Sequence, residues 1–459
     1  MAETPPPRWP PAGSPPQPGL TLTELLVAAA LSLFLIGAVA SLFSLFGRSV
    51  KQSQTTMHLS GLLRSAAWQL RQDLAGATCQ PTPWLAPETN AGYFELVEGP
   101  DRDASEALDS QGQPTDSLTA DTDDILLFTT QSLAGDFVGR YDGKTVESPY
   151  AEVAWFCRPS QTQPVAGTTL YDLHRRQLLV MNYLGRADLA NNALPRETDR
   201  AKCDISLRPA SISGQGLVLL PNSLGDVTKR EHRFMRGGCW YLTDAGSVRS
   251  VAAQAFPFAF PLDPATGHAV PEAALDSTKR AWEDVVLTDV IGFDVRVFDP
   301  KASVMAATDA PARTPGDPGY TIGVAPAPGG LGAYVDLGWG GGVPIIRTAP
   351  FPPTGTSAFQ SAGVAVTDLP RRVVLPAATY DTWSRHYEFN GVDDDGDGIV
   401  DEGVNGITST ASGWPEQTGA LETSPPYPVP LRGLEVRIRC YEPASRQVRQ
   451  VTIRHSFAR

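Results

Sequence analysis

The densest chemistry in the chain lies in the segment Asn390-Gly391-Val392-Asp393-Asp394-Asp395-Gly396-Asp397-Gly398-Ile399-Val400-Asp401-Glu402. Asp393, Asp395 and Asp397 occupy positions 1, 3 and 5 of a D-x-D-x-D-G loop, and Gly398 stands at position 6, where a sharp turn needs positive φ. Ile399 would offer its backbone carbonyl at position 7, and Asp401 stands at position 9. A Ca²⁺ ion takes roughly six to eight hard oxygens, and this spacing folds them around one point. Position 12 is Val404 instead of a bidentate Glu, so Glu402 or a residue elsewhere must complete the shell. The competing reading is a solvated acidic loop without metal. Against it, the six carboxylates between Asp393 and Glu402 repel one another strongly when no cation is present. The expected ligands of a structural Ca²⁺ are therefore Asp393, Asp395, Asp397, Ile399, Asp401 and Glu402.

A second chemical feature is a single carboxylate at the mouth of an apolar run. Leu25 to Phe46 is 22 residues without a charge, long enough as a helix (about 33 Å) to cross the roughly 30 Å hydrocarbon core. Its polar residues, Ser32, Ser41 and Ser44, can each bond back to their own helix. Glu24 precedes the run, and a carboxylate near lipid costs on the order of a few kcal/mol unless it finds a partner. A cut after Gly19 would supply one: the new amine of Leu20 is cationic, and Glu24 becomes the fifth residue of the shortened chain. In a bundle of parallel helices, Glu24 of one subunit can then neutralise the amine of its neighbour. Two plainer readings compete. One is a secretory signal cut after Ala38-Val39-Ala40, and the other is a simple single-pass anchor. Neither has a use for Gly19 and Glu24 at this spacing.

The run Gly19-Leu20-Thr21-Leu22-Thr23-Glu24-Leu25-Leu26-Val27-Ala28 resembles the prepilin cleavage and methylation motif of type IV pilins and type II secretion pseudopilins. Leu20 stands where that family commonly has Phe, and the leader is Pro-rich instead of basic. The resemblance implies that prepilin peptidase cuts after Gly19 and methylates Leu20, and that Glu24 is the assembly carboxylate. It also implies a single-pass protein of the bacterial inner membrane, with its C-terminal domain in the periplasm or on an extracellular filament. The implied partners are the lipid bilayer and other pilin or pseudopilin subunits, met through parallel N-terminal helices. The strand-like runs VAWFCRP (153–159), LYDLHRRQLLV (170–180) and VRIRCYEP (436–443) are similar to PilW-like minor pilins and J-type pseudopilins, over roughly residues 20–300 and 430–459. The acidic loop resembles those of EF-hand, dockerin and thrombospondin type 3 repeats. It lacks a flanking pair of helices, which implies an isolated clip and not a switch.

These features need elements to carry them. Residues 1–19 hold eight Pro and form an extended leader. Residues 20–46 are the apolar helix. Leu59, Leu62, Leu63, Ala66, Ala67, Leu70 and Leu74 recur at i, i+3, i+4 spacing, so 47–78 reads as an amphipathic extension ending near Gly76. Residues 79–300 are expected to be β-rich. Strands are predicted over Asp124–Thr129 and Ala151–Cys157, two more within Gly167–Met181, and another in Val285–Pro300, where Phe293, Val295 and Val297 alternate with Asp294 and Arg296. Residues 301–430 are Pro/Gly-rich and read as inserted loops that carry the acidic segment 390–404. Residues 431–459 alternate Leu434, Val436, Ile438 and Cys440 with polar residues, turn at Glu442-Pro443-Ala444-Ser445, and return as a terminal hairpin. The expected fold class is α+β: a long N-terminal helix, half membrane and half amphipathic, packed on an antiparallel sheet with a loop-rich insertion.

Composition narrows the function. With 37 Lys and Arg against 50 Asp and Glu, the net charge is −13, which argues against a nucleic-acid partner. With 42 Gly and 41 Pro in 459 residues, turns and strands are favoured over helices. No G-x-S-x-G, H-E-x-x-H or phosphate-binding Gly-rich motif is found, and no two of the six His stand at i, i+4. No enzymatic activity is expected. Five Cys (79, 157, 203, 239 and 440) are permitted to pair in an oxidising compartment. The odd number leaves at least one thiol, and Cys203–Cys239 is the expected pair.

Overall fold

The computed structural model describes residues 21–82, 85, 87–98, 121–141, 144–160, 169–181, 204–212, 216–228, 232–233, 240–242, 248–250, 283–305, 312–315, 320, 330–337, 378–382, 430–443 and 446–457. The chain divides into two compact units, Met1–His58 and Leu59–Arg459. One helix, α1 (Leu22–Ala75), supplies the described structure of the first unit and begins the second.

Within the second unit, α1 presents Leu59, Leu63, Ala66, Ala67, Leu70 and Leu74 to the core. Burying the four leucines contributes about 6–12 kcal/mol. Leu62, predicted to share this stripe, is 37% exposed. It lies one helical step (about 100°) from Leu63 and so falls at the margin of the buried face. The helix stops at Gly76, whose carbonyl accepts from the Gln131 amide at 2.7 Å. A Cβ at Gly76 would overlap the Gln131 carbonyl oxygen, so only glycine allows this close approach to the sheet.

The rest is mainly strand. In chain order come β1 (Phe94–Glu98), β2 (Ile125–Gln131), β3 (Phe137–Tyr141), β4 (Lys144–Ser148), β5 (Tyr150–Pro159) and β6 (Tyr171–Val180). They are followed by β7 (Leu207–Ile212), β8 (Gly216–Pro221), β9 (Trp240–Leu242), β10 (Val248–Ser250) and the long β11 (Glu283–Ser303). The last four are β12 (Leu331–Val335), β13 (Ala378–Asp381), β14 (Gly433–Glu442) and β15 (Gln447–Ser456). Nine form one antiparallel sheet in the order β13-β1-β2-β5-β6-β11-β14-β15, with β12 also paired to β11. Three separate hairpins, β3–β4, β7–β8 and β9–β10, complete the described strands.

The architecture is thus mixed α+β and dominated by strand among the described residues. The predicted pair of strands in Gly167–Met181 is one strand, β6, held in register with β5 over ten residues. The stretch 301–430, read as loops, supplies β12 and β13, and β13 forms one edge of the sheet beside β1. Pro- and Gly-rich sequence hid both strands, which are only five and four residues long. The terminal hairpin has β14 and β15 paired from Gly433↔Ser456 to Glu442↔Gln447. Arg446 adopts φ 55° in the turn between them.

The sheet curls because β11 is longer than its neighbours. It pairs with β6 through Val290. Beyond that point the amide of Phe293 donates to the Asp121 carbonyl at 2.7 Å, and the amide of Val295 donates to the Asp124 carboxylate at 2.6 Å. The residues leading into β2 therefore meet a strand three places away in the sheet order. One face of the sheet is apolar and includes Phe94, Phe128, Val153, Trp155 and Val295. The opposite face carries buried polar and charged groups, among them Glu95, Glu152, Asp294, Arg296 and Glu435.

Candidate functional site

Three groups of residues bear on function: the N-terminal end of α1, a buried acidic cluster, and the buried ion pairs that hold the scaffold. At the first, Thr21 and Glu24 form a reciprocal capping box. The Thr21 amide and hydroxyl donate to Glu24 Oε2 at 2.8 and 2.9 Å, and the Glu24 amide reaches Thr21 Oγ1 at 3.3 Å. The spacing Thr21-x-x-Glu24 is the signature of such a box, a local use of Glu24 that the sequence reading passed over. Gly19 and Leu20, the predicted cleavage pair, lie outside the described residues.

From Leu22 to Ser44 the helix has a mean hydropathy of 2.5 and buries none of its surface within the protein, so one helix is long and apolar enough to cross a membrane. Thirteen large apolar side chains between Leu22 and Phe46 are exposed. At about 1.5–3 kcal/mol each, covering them is worth roughly 20–40 kcal/mol, and a surface of this kind is compatible with a membrane span or a signal sequence. Ser32 and Ser41 return their hydroxyls to the carbonyls of Ala28 and Gly37, at 2.7 and 2.9 Å. Neither hydroxyl is then left unsatisfied in an apolar medium.

The expected calcium ligands Asp393, Asp395, Asp397, Ile399, Asp401 and Glu402, with Val404, lie outside the described residues. The structure brings together a different acidic set. Asp121, Asp123 and Asp124, just ahead of β2, are all buried and offer carboxylate oxygens within 4.8 Å of one another. The Asp123 amide donates to Asp121 Oδ1 at 3.4 Å. Burial, followed by the neighbouring charges of Asp123 and Asp294, pushes the Asp124 carboxyl well above the usual carboxylate range. Arg296 Nε lies 3.0 Å from both Asp294 and Asp336. Arg437 is 3.8 Å from Asp294. An all-oxygen donor set suits a hard cation, and nothing in the geometry singles out calcium. The signal in the sequence was Asp121-Thr122-Asp123-Asp124 directly before an apolar strand. Its last residue, Asp124, is the first residue of the strand predicted over Asp124–Thr129.

The scaffold is pinned by two buried networks. Asp73 of α1 accepts from Trp155 Nε1 at 2.9 Å and from Arg175 Nε and Nη2 at 2.8 and 2.9 Å, tying the helix to β5 and β6. On the other face of the sheet, fully buried Arg233 bridges Glu95 of β1 and Asp381 of β13 at 2.9 and 2.8 Å, with its guanidinium 4.1 Å from the Tyr93 ring centroid. Tyr93 donates to Glu152 at 3.0 Å, and Glu152 also accepts from Ser206. These groups are paired and hydrogen-bonded, as buried charges must be. Cys79, Cys157 and Cys440 are buried thiols, whereas Cys203 and Cys239 lie outside the described residues. No family model, no curated protein and no solved structure matches this chain.

Proposed function

We propose that the protein is a minor pilin or pseudopilin: a non-enzymatic structural subunit of a type IV pilus or type II secretion pseudopilus. In this reading it is cleaved after Gly19 by prepilin peptidase, methylated at Leu20 and anchored once in the bacterial inner membrane. It is assembled through parallel N-terminal helices, with Glu24 as the charge that meets a neighbour's amine. The observation that carries the reading is one unbroken helix with two kinds of surface. Over Leu22–Ser44 it is apolar and bare, and from Leu59 to Leu74 it forms part of a buried core. Such a helix suits a subunit that is first held by lipid and then by other copies of the same element.

Mass spectrometry of the mature N-terminus tests the reading. The expected product begins at N-methylated Leu20; a chain that begins at Ser41, or one that retains Met1, overturns it. The variant Glu24→Gln separates the two uses of this residue, since glutamine preserves the capping box and removes the charge. It is expected to insert and be cleaved normally and to be missing from filaments.

The acidic segment 390–404 supports a second reading, a calcium-dependent adhesin or binding module displayed on the same anchor. Gene deletion distinguishes the two: a structural subunit takes filaments or secretion with it, whereas an adhesin leaves filaments and removes adhesion.

A further inference from the structure

The two edges of the large sheet are unlike. At one end β13 is four residues long, and its Tyr380 and Asp381 are fully buried. At the other end β15 runs for ten residues without Pro or Gly, and no described strand pairs with its outer side. The Phe457 amide donates to the Arg432 carbonyl at 3.0 Å, one step beyond the pair Ser456↔Gly433. In an antiparallel ladder inward and outward groups alternate, so the odd-numbered residues of β15 face β14. The amides and carbonyls of Val448, Gln450, Thr452, Arg454 and Ser456 therefore point away from the sheet, and all five residues are exposed. A long, regular, open edge is a template for another strand, and folded proteins normally cover, shorten or charge such an edge.

Here the edge is charged, and with one sign. β15 contains Arg449 and Arg454 and no carboxylate. The last 29 residues, 431–459, hold seven Arg and two Glu, a net +5 in a chain whose total is −13. Of the two Glu, Glu435 is buried and already engaged by Arg437 and Arg454 at 2.9 and 2.6 Å. Arg446 and Arg449 are exposed and have no carboxylate partner among the described residues.

We propose that β15 is a docking strand whose free edge accepts an extended, carboxylate-bearing segment of another protein and adds it to the sheet. Backbone hydrogen bonds to the five outward residues supply affinity, and the arginines select acidic side chains. A second copy of this chain is the wrong occupant. Each β15 brings Arg449 and Arg454 and no carboxylate, so pairing two copies gathers four like charges with none to offset them. The inference is independent of the function proposed for α1.

The test uses the full chain in detergent micelles and a synthetic peptide, matched to β15 in length, that alternates Thr and Glu; a Thr/Lys peptide is the control. The Glu peptide is expected to bind and to slow hydrogen exchange at the amides of Gln450, Thr452 and Arg454. Its affinity should exceed that of the Lys peptide by at least ~10-fold and fall as salt is raised from about 50 to about 500 mM. Thr452→Pro removes one outward donor and no ladder bond, and Arg449→Glu reverses an exposed charge, so each is expected to weaken binding by ~10-fold or more. If the proline variant fails to fold, Arg449→Glu together with the exchange map decides. Equal binding of the two peptides, binding without protection of β15, or concentration-dependent protection of β15 in the absence of peptide overturns the proposal.

Discussion

Asp124 sits where burial and like charge act together. Its pKa is raised in the folded protein, so the native state holds a proton that the unfolded chain releases near pH ~4. Stability contributed at this position is therefore greatest below the unfolded value and falls as pH rises through the carboxylate range toward the raised folded value. Melting the protein in chelator from about pH 4 to about pH 8 should show this decline, and Asp124→Asn should flatten it and raise the neutral-pH midpoint. An unchanged slope in the variant would assign the pH dependence elsewhere. The residue was legible in the sequence only as a polar start to an apolar strand. What makes it unusual is the arrival of Asp294 and Asp336 from positions some 170 and 210 residues later, a convergence that local spacing does not encode. Glu24 is the opposite case, because both of its candidate roles are marked by residues within five positions, Thr21 for the capping box and Gly19 for the cut.

At the scale of elements, α1 has two faces with different energetic consequences. Leu70 is fully buried, so Leu70→Ala should cost about 2–5 kcal/mol. Leu62, eight residues earlier and 37% exposed, should tolerate Ala with a loss of about 1 kcal/mol or less. Denaturant titration of the two variants checks the register of the helix on the sheet, and similar losses would mean that the register is wrong. The heptad-like recurrence of leucine and alanine made the helix legible, and alternation made β14 legible. β12 and β13 were not, because each takes its place from partners, β11 and β1, rather than from a pattern of its own. The polar face of the sheet was likewise hidden. Glu95 and Arg233 are separated by 138 residues, and each alone reads as an ordinary surface charge.

At the scale of the whole molecule, three thiols are closed within the fold. Burial pushes Cys79 up to about 12, and burial likewise raises Cys157 and Cys440 far above the ordinary thiol range. Because the thiolate is the reactive form, alkylation of the native protein at about pH 8 should leave all three unmodified, and denaturant should expose all three. Peptide mapping after iodoacetamide treatment reads this directly. Labelling of any of the three in the native state would show that the domain opens more readily than its packing indicates.

The order of strands has a consequence in time. β14 lies between β11 and β15, the Leu431 amide bonds to the Pro81 carbonyl at 2.9 Å, and the Phe457 ring meets the Phe94 ring edge-on at 5.3 Å. The first strand and the last thus share one core, and the whole sheet is complete only once β14 and β15 have been made. At about 5–20 residues per second, synthesis of 459 residues takes roughly 20–90 s. During that interval Leu63, Leu70 and Leu74 have no finished sheet to cover them. A nascent chain of this kind holds part of its core uncovered until its end emerges, which places a demand on holding factors that a domain built from local contacts would not make.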